Sequence, residues 1–244
     1  MRPDGEPLTD DAALAGRLKL LQPRRGHRFG HDAILLAASV PARAGERVVE
    51  LGSGVGAAGL ALMARVPDLH LTMIETEPML AALASENAAR NGFGGRTRVV
   101  TADASGDLAA LGLVARAVDH VLMNPPFETA GGPPSPDPLR QRAHAGSRAL
   151  LETWLQNASW LLHAGGTVTV IWRADGAERL CAALATDFRR PALRLVHGRA
   201  GEAPIRILAN AVKNGASGAA ETEMLPPLVL NDAHGRPTAD AEVV

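Results

Sequence analysis

A chain of 244 residues with 46% hydrophobic content is long enough for one full domain with small additions, and can bury a core. Mean hydropathy is +0.02, and no apolar run approaches the roughly 18 residues a membrane span needs, which excludes a membrane helix. The net charge of −1 gives no global signature of nucleic-acid binding, and the single cysteine, Cys181, excludes an internal disulfide and a thiolate metal cluster.

The start, Met1-Arg2-Pro3-Asp4-Gly5-Glu6-Pro7, is polar and lacks the apolar stretch of a signal peptide, so a cytoplasmic protein is expected. Residues before Leu18 have no periodicity and are expected to be unstructured. Arg47-Val48-Val49-Glu50-Leu51 reads as a strand, with a helix over residues 55–64. A second strand follows over 69–75, and then a helix from Pro78, which suits a first turn, to Arg90, stopped by Asn91-Gly92. Thr97-Arg98-Val99-Val100-Thr101 is the third strand, followed by a helix over residues 108–115, and residues 118–123 are the fourth strand. Residues 131–138, rich in Gly and Pro, form a loop; 149–162 is a helix, 167–172 a fifth strand and 177–188 a helix. Residues 193–196 and 205–212 can pair as an antiparallel hairpin, and Leu228-Val229-Leu230 is one further candidate strand. Strands alternating with helices of this length predict an α/β fold with a parallel sheet, whose strand ends and following loops share the edge where ligands bind.

Glu50-Leu51-Gly52-Ser53-Gly54-Val55-Gly56 ends the first strand and opens a helix, so glycines allow a tight turn and close approach of a ligand to free helix N-terminal amides. Gly54-Val55-Gly56-Ala57-Ala58-Gly59 also fits the G-x-G-x-x-G of a dinucleotide site, and the glycines alone do not decide. The preceding acid helps: a carboxylate at Glu50 suits the α-amino cation of S-adenosyl-L-methionine and sits badly beside a pyrophosphate, although a nicotinamide enzyme reading Gly54 to Gly59 stays open. Glu75, ending the second strand, can accept both ribose hydroxyls, and Asp103, after the third, can accept an adenine amino group.

Asn124-Pro125-Pro126-Phe127 follows the fourth strand. A conjugated NH2 is a poor nucleophile because its lone pair is delocalised. Two acceptors, the Asn124 side-chain oxygen and the Pro125 carbonyl, can hold both N–H bonds in a geometry that favours a tetrahedral nitrogen. Pro125-Pro126 stiffens that backbone, and Phe127 can stack on the planar group. Proximity to an activated methyl then does most of the work, and no strong base is required. The alternative is a plain turn that ends a strand.

These residues resemble the motif set of the class I, Rossmann-like methyltransferases of the N-P-P-[YF] group, over about residues 47–212. The resemblance implies a mostly parallel seven-stranded sheet with helices on both faces, a closing antiparallel hairpin, S-adenosyl-L-methionine as cofactor, and Asn124, Pro125, Pro126 and Phe127 as the catalytic loop. Gly52, Ser53, Gly54 and Gly56, with Glu50, Glu75, Asp103 and Asn124, would bind the cofactor. Within the group, Gln22 and the run Arg28-Phe29-Gly30-His31-Asp32-Ala33-Ile34-Leu35-Leu36-Ala37 resemble a segment of the bacterial tRNA(Val) adenine-N6 methyltransferases, as does Arg140-Gln141-Arg142-Ala143-His144. That family implies that Phe29 covers the cofactor, that the target is adenine N6 near the anticodon, and that arginines approach the RNA. Phe127 stands where it often carries Tyr, and Phe stacks as well. The expected organisation is a cofactor-covering segment over residues 1–40, a methyltransferase domain over 41–214, and a C-terminal extension over 215–244 that packs on the sheet edge or stays flexible. Alternatives are a ribosomal RNA base or a protein glutamine as acceptor, or a nucleotide-cofactor-binding module without catalysis. The glutamine methylases carry a sizeable N-terminal helical domain, whereas about 45 residues precede the first strand here.

Arginines cluster at 24, 25 and 28, at 140, 142 and 148, and at 189, 190 and 194, against only two lysines, Lys19 and Lys213. Arginine's planar fork suits phosphate, although codon usage in a GC-rich genome produces the same bias. His27 and His31 have i, i+4 spacing, but Gly30 between them and no third ligand argue against a metal. Cys181 lies in an apolar stretch and reads as a structural thiol.

Overall fold

The computed structural model describes residues 7–25, 28–126, 147–214 and 222–242. The alternation legible in the sequence gives β3 (Arg47–Leu51), α2 (Ala57–Arg65), β4 (His70–Glu75), α3 (Pro78–Arg90), β5 (Thr97–Thr101), β6 (Val118–Met123), α4 (Ser147–Leu161), β7 (Leu162–Arg173) and α5 (Ala177–Asp187). The antiparallel hairpin is β8 (Phe188–Arg199) and β9 (Pro204–Lys213). It is longer than the alternation suggests because a register shift between Arg189 and Ala192, with Arg190 at φ +50°, interrupts the pattern without ending the pairing.

The strands lie in the order β10-β8-β9-β7-β6-β3-β4-β5, where β10 is Glu223–Met224. β11 (Leu228–Asn231) also pairs with β8. β3 pairs in parallel with both β4 and β6, and β6 with β7, whereas β9 runs antiparallel to β7 and β8. Seven strands thus form the expected sheet, and two short C-terminal strands cover the edge of β8, where unpaired backbone groups would otherwise face solvent.

Successive side chains of the central strands enter two separate cores. Val48, Leu122 and Ile171 pack with α1 (His31–Ser39), α2 and α3, while Val49, Leu51, Val121, Met123, Val168, Val170 and Trp172 pack with α4 and α5. That two-sided burial explains why these strands read as near-continuous apolar runs. Cys181 is half-buried against the second core, and burial pushes its thiol up from the ordinary value, as befits a structural residue.

Two expectations are corrected. Residues 108–115 form successive turns rather than a helix: the Asp107 carboxylate caps the amides of Ala109 and Ala110, and Gly112 at φ +72° then ends the turn. Of the segment before Leu18, the described residues 8–17 are ordered. β1 (Leu8–Ala13) and β2 (Leu18–Pro23) form an antiparallel hairpin around a turn in which Leu14, Ala15 and Gly16 all have positive φ. Neither the acidic β1 nor that turn carries an apolar alternation or an Asn-Gly signature, so periodicity could not reveal it.

Side-chain amides of α3 attach this hairpin. Asn87, 0% exposed, accepts the Leu21 N–H (2.7 Å) and donates to the Leu21 carbonyl (2.9 Å) and the Val55 carbonyl (3.0 Å). Asn91, one turn on, treats Lys19 the same way. Asn87→Ala would leave three backbone groups unpaired, so a loss of about 2–4 kcal/mol and a melting temperature lower by roughly 5–10 °C are expected. Asn91→Ala, whose bonds are exposed, should cost under about 1 kcal/mol in the same thermal denaturation.

Candidate active site

The chain leaves β3 toward β4 on one side and returns through β6 on the other, so the loops after β3 and β6 face each other across the switch point of the sheet. A cleft lies there, lined by Phe29, Ala33, Glu50, Gly52, Ser53, Gly54, Val55, Ala57, Ala58 and Asn124.

The loop after β3 is pinned from below. The amides of Gly52 and Ser53 both donate to the Ile74 carbonyl (2.9 and 3.1 Å), and the Gly54 amide donates to Glu75 Oε2 (2.7 Å). Gly52 has φ +70°, and a Cβ there would stand 2.3 Å from the ring of Trp154. A Cβ on Gly59 would stand 2.5 Å from Glu50 Oε2, which instead accepts the Gly59 amide at 2.9 Å. The glycines therefore serve the packing of the loop on Trp154 and Glu50 as much as the approach of a ligand.

Glu50 is 4% exposed, and burial pushes its carboxyl up to about 8, with the nearby Glu75 carboxylate adding to the rise and the Gly59 amide opposing it. Glu75 does not line the cleft. It lies behind Gly54, and its second oxygen accepts the Glu77 amide at 2.9 Å. Asp103 is exposed outside the cleft and accepts the Ser105 amide at 2.8 Å. Gly56, at φ +84°, caps α2 and packs against Met73 rather than lining the cleft.

Two features of α4, absent from the sequence reading, tie the parts together. The Trp154 indole lies against Gly52 and donates its N–H to Ser105 Oγ (3.1 Å), while Asn157 donates to the carbonyls of Ala104 (2.7 Å) and Gly106 (3.2 Å). The 103–106 loop is thereby fixed relative to the glycine loop. A Trp inside a helical pattern carries no signal of this beyond core packing.

Among the described residues, two buried polar atoms in the cleft lining have no hydrogen-bond partner: Ser53 Oγ and Asn124 Oδ1. Buried side-chain oxygens are nearly always satisfied in folded chains, so both fit a ligand that brings N–H or O–H groups. Pro125 is buried and Pro126 half-buried behind Asn124. Phe127, the loop 131–138, the 140–144 stretch and His27 lie outside the described residues, as does the side chain of Arg148. Among the described residues, no group of three or more His, Cys, Asp or Glu is placed to hold a metal, and no helix is long and apolar enough to cross a membrane.

Residues 28–190 match the methyltransferase small domain family. A tRNA1(Val) (adenine(37)-N6)-methyltransferase of Aeromonas hydrophila is 33% identical over 187 residues, covering 74% of this chain and 75% of that one. The protein of the same name from Bacteroides thetaiotaomicron is 28% identical over 188 residues, with the same coverage of each. Among solved structures, a predicted O-methyltransferase from Agrobacterium tumefaciens superposes with a TM-score of 0.71 at 27% identity, over 85% of this chain and 92% of that one. With a family match spanning more than half its length and a Rossmann-like sheet whose switch point carries the glycine loop and Asn124, the chain belongs to the methyltransferase small domain family and is a class I, S-adenosylmethionine-dependent methyltransferase.

Proposed function

We propose that the protein methylates the N6 amino group of an adenine in tRNA, next to the anticodon. The observation that carries this reading is Asn124 Oδ1, a buried acceptor at the cleft with no partner of its own. Such an acceptor suits an incoming N–H. A hydroxyl acceptor would need a base or a metal to ionise it, and Glu50 is the one ionisable side chain among the described cleft-lining residues. An amino nitrogen needs only its lone pair freed, and it sheds its surplus proton to water after transfer.

In this reading Glu50 receives the α-ammonium of the cofactor, Ser53 Oγ and the backbone of Gly52, Ser53 and Gly54 border its polar groups, and Phe29 covers it. Glu75 and Asp103 serve the ribose and the adenine, one from behind the glycine loop and the other from the turn fixed by Asn157. The cofactor, when bound, supplies an electrophilic sulfonium methyl. Asn124 Oδ1 and the Pro125 carbonyl accept the two N–H bonds of the target, Pro125-Pro126 holds those acceptors still, and Phe127 stacks on the base. The described part of residues 1–40 serves as a cover for the 41–214 domain, and β10 and β11 of the 215–244 extension lie on the sheet edge.

The names of the relatives support tRNA as substrate. An unpaired anticodon-loop adenine leaves its stack at little cost, and Arg24 and Arg25 are exposed shortly before Phe29, where phosphates would pass. A tRNA substrate places the protein in the cytoplasm. The test is to offer the purified protein labelled cofactor with total tRNA, ribosomal RNA or a protein extract, and to analyse the products by nucleoside mass spectrometry. Label as N6-methyladenosine in the tRNA fraction alone is the expected result. Label in protein, in ribosomal RNA or on oxygen would overturn the assignment.

A further inference from the structure

We infer that Gln22 is a positioning residue for the cofactor: its side-chain amide fixes Phe29 over the cleft and so sets how tightly S-adenosylmethionine is held. This rests on the reading of the cleft given above. Gln22 is 2% exposed at the end of β2. Its Oε1 accepts the backbone N–H of Phe29 at 3.0 Å, and its Nε2 donates to Asp11 Oδ2 at 2.7 Å.

The orientation of that amide is dictated from both ends. An N–H can only be met by the oxygen and a carboxylate only by the nitrogen, so turning the amide over would break both bonds. Asp11 is itself anchored. The same Oδ2 accepts the Thr9 hydroxyl (2.5 Å) and Arg28 Nη2 (2.9 Å), and these partners hold its carboxyl below the usual carboxylate range. Arg28 closes the ring by donating Nη1 to Thr9 Oγ1 and to the Pro23 carbonyl, both at 2.9 Å.

The consequence reaches the cleft through Phe29. Residues 28–30 have no regular structure, and Gly30, which caps α1, has no side chain to cap it. A Phe in such a segment would sample many positions. Here the segment is tied behind by the hairpin that Asn87 and Asn91 hold on α3, and ahead by α1, whose Ala33 also lines the cleft. Gln22 pins its middle at the residue that faces the ligand. The network lies outside the main sheet, so disturbing it should alter the cover and leave the domain folded.

The experiment compares Gln22→Ala, Gln22→Glu, the double variant Gln22→Glu with Asp11→Asn, and Phe29→Ala. Each is measured by calorimetric titration with S-adenosylhomocysteine, by thermal denaturation and by steady-state kinetics. Gln22→Ala should weaken binding about tenfold and raise the KM for cofactor in step, with kcat at saturation within about twofold. Gln22→Glu should be as weak, because it sets one carboxylate against another. The double variant restores an acceptor facing Phe29 and a donor facing residue 22, at the cost of the bond from Arg28 to residue 11, and should recover part of the lost affinity. If Phe29→Ala weakens binding while Gln22→Ala does not, the inference is overturned and the reading of the cleft survives. Unchanged binding in Phe29→Ala would sink both. A Gln22→Ala that melts earlier with unaltered affinity assigns Gln22 to hairpin stability alone.

Discussion

Asn124→Ala should lower kcat by a factor on the order of 10² to 10³ while leaving the melting temperature unchanged or slightly higher. The two halves of this expectation have one cause. Asn124 Oδ1 is buried without a partner, so the free protein has desolvated an acceptor and gained nothing for it. An unsatisfied buried group costs about 1–3 kcal/mol, and truncation removes that cost. The same atom is the acceptor proposed to hold the target N–H, and its loss falls on the chemical step. Affinity for S-adenosylhomocysteine, which brings no target amino group, should stay within about twofold, since Asn124 is one of several residues around the cleft. Single-turnover transfer of labelled methyl, calorimetry and thermal denaturation check the three quantities. A variant that turns over normally, or that melts several degrees lower, would show the oxygen to be satisfied by the protein and the proposed role to be wrong.

Two asparagines mark what a sequence can and cannot reveal. Asn124 was legible because its neighbours give it a context: it follows a strand, two prolines stiffen it, and it is the fourth in a row of strand-end positions. Asn87 sits mid-helix among alanines, and its partners Leu21 and Val55 are 66 and 32 residues away, so nothing local signals that it holds a hairpin. The same limit hid Trp154 and Asn157, whose contacts with Gly52 and the 103–106 loop are set by how α4 lies on the sheet. Elements with two-sided apolar burial, such as β3 and β6, declared themselves, and α3 runs from Pro78 to Arg90 as its stop signals require. The hairpin of β1 and β2 did not: Leu18 and Leu20 are buried in the core, but β1 is acidic, and the amides of Asn87 and Asn91 that also hold the hairpin come from residues far along the chain. The strand-end acids were found by position, but their surroundings differ. Glu50 lines the cleft, Glu75 stands behind the glycine loop, and Asp103 is exposed on a turn.

Those surroundings make Glu50 the residue whose replacement should most sharply divide stability from binding. Its carboxyl is pushed up to about 8 from an ordinary 4.5, because burial disfavours the charged form. A raised folded-state value stabilises the fold fully below the unfolded value, and that contribution is lost as pH climbs through about 8. The free protein should therefore lose stability steadily between those limits, by roughly 5 kcal/mol in all at about 1.4 kcal/mol per pH unit. Glu50→Gln cannot ionise, so its stability should be flat over this window, and at pH 9 it should melt several degrees above the parent. Binding should run the other way. An arriving ammonium stabilises the charged carboxylate, so at pH 7 the cofactor must displace a proton from Glu50, and affinity should rise by up to tenfold per unit as pH approaches 8. In Glu50→Gln that rise should vanish, and binding at pH 8 should be weaker by at least about tenfold. Melting temperatures and titrations with S-adenosylhomocysteine from pH 5 to 9 would test both arms. Parallel pH profiles for the two proteins would mean that Glu50 is already ionised in the free protein. Opposed profiles would mean that the site keeps a buried acid neutral, at a cost to the free fold, until the cofactor's own charge ionises it.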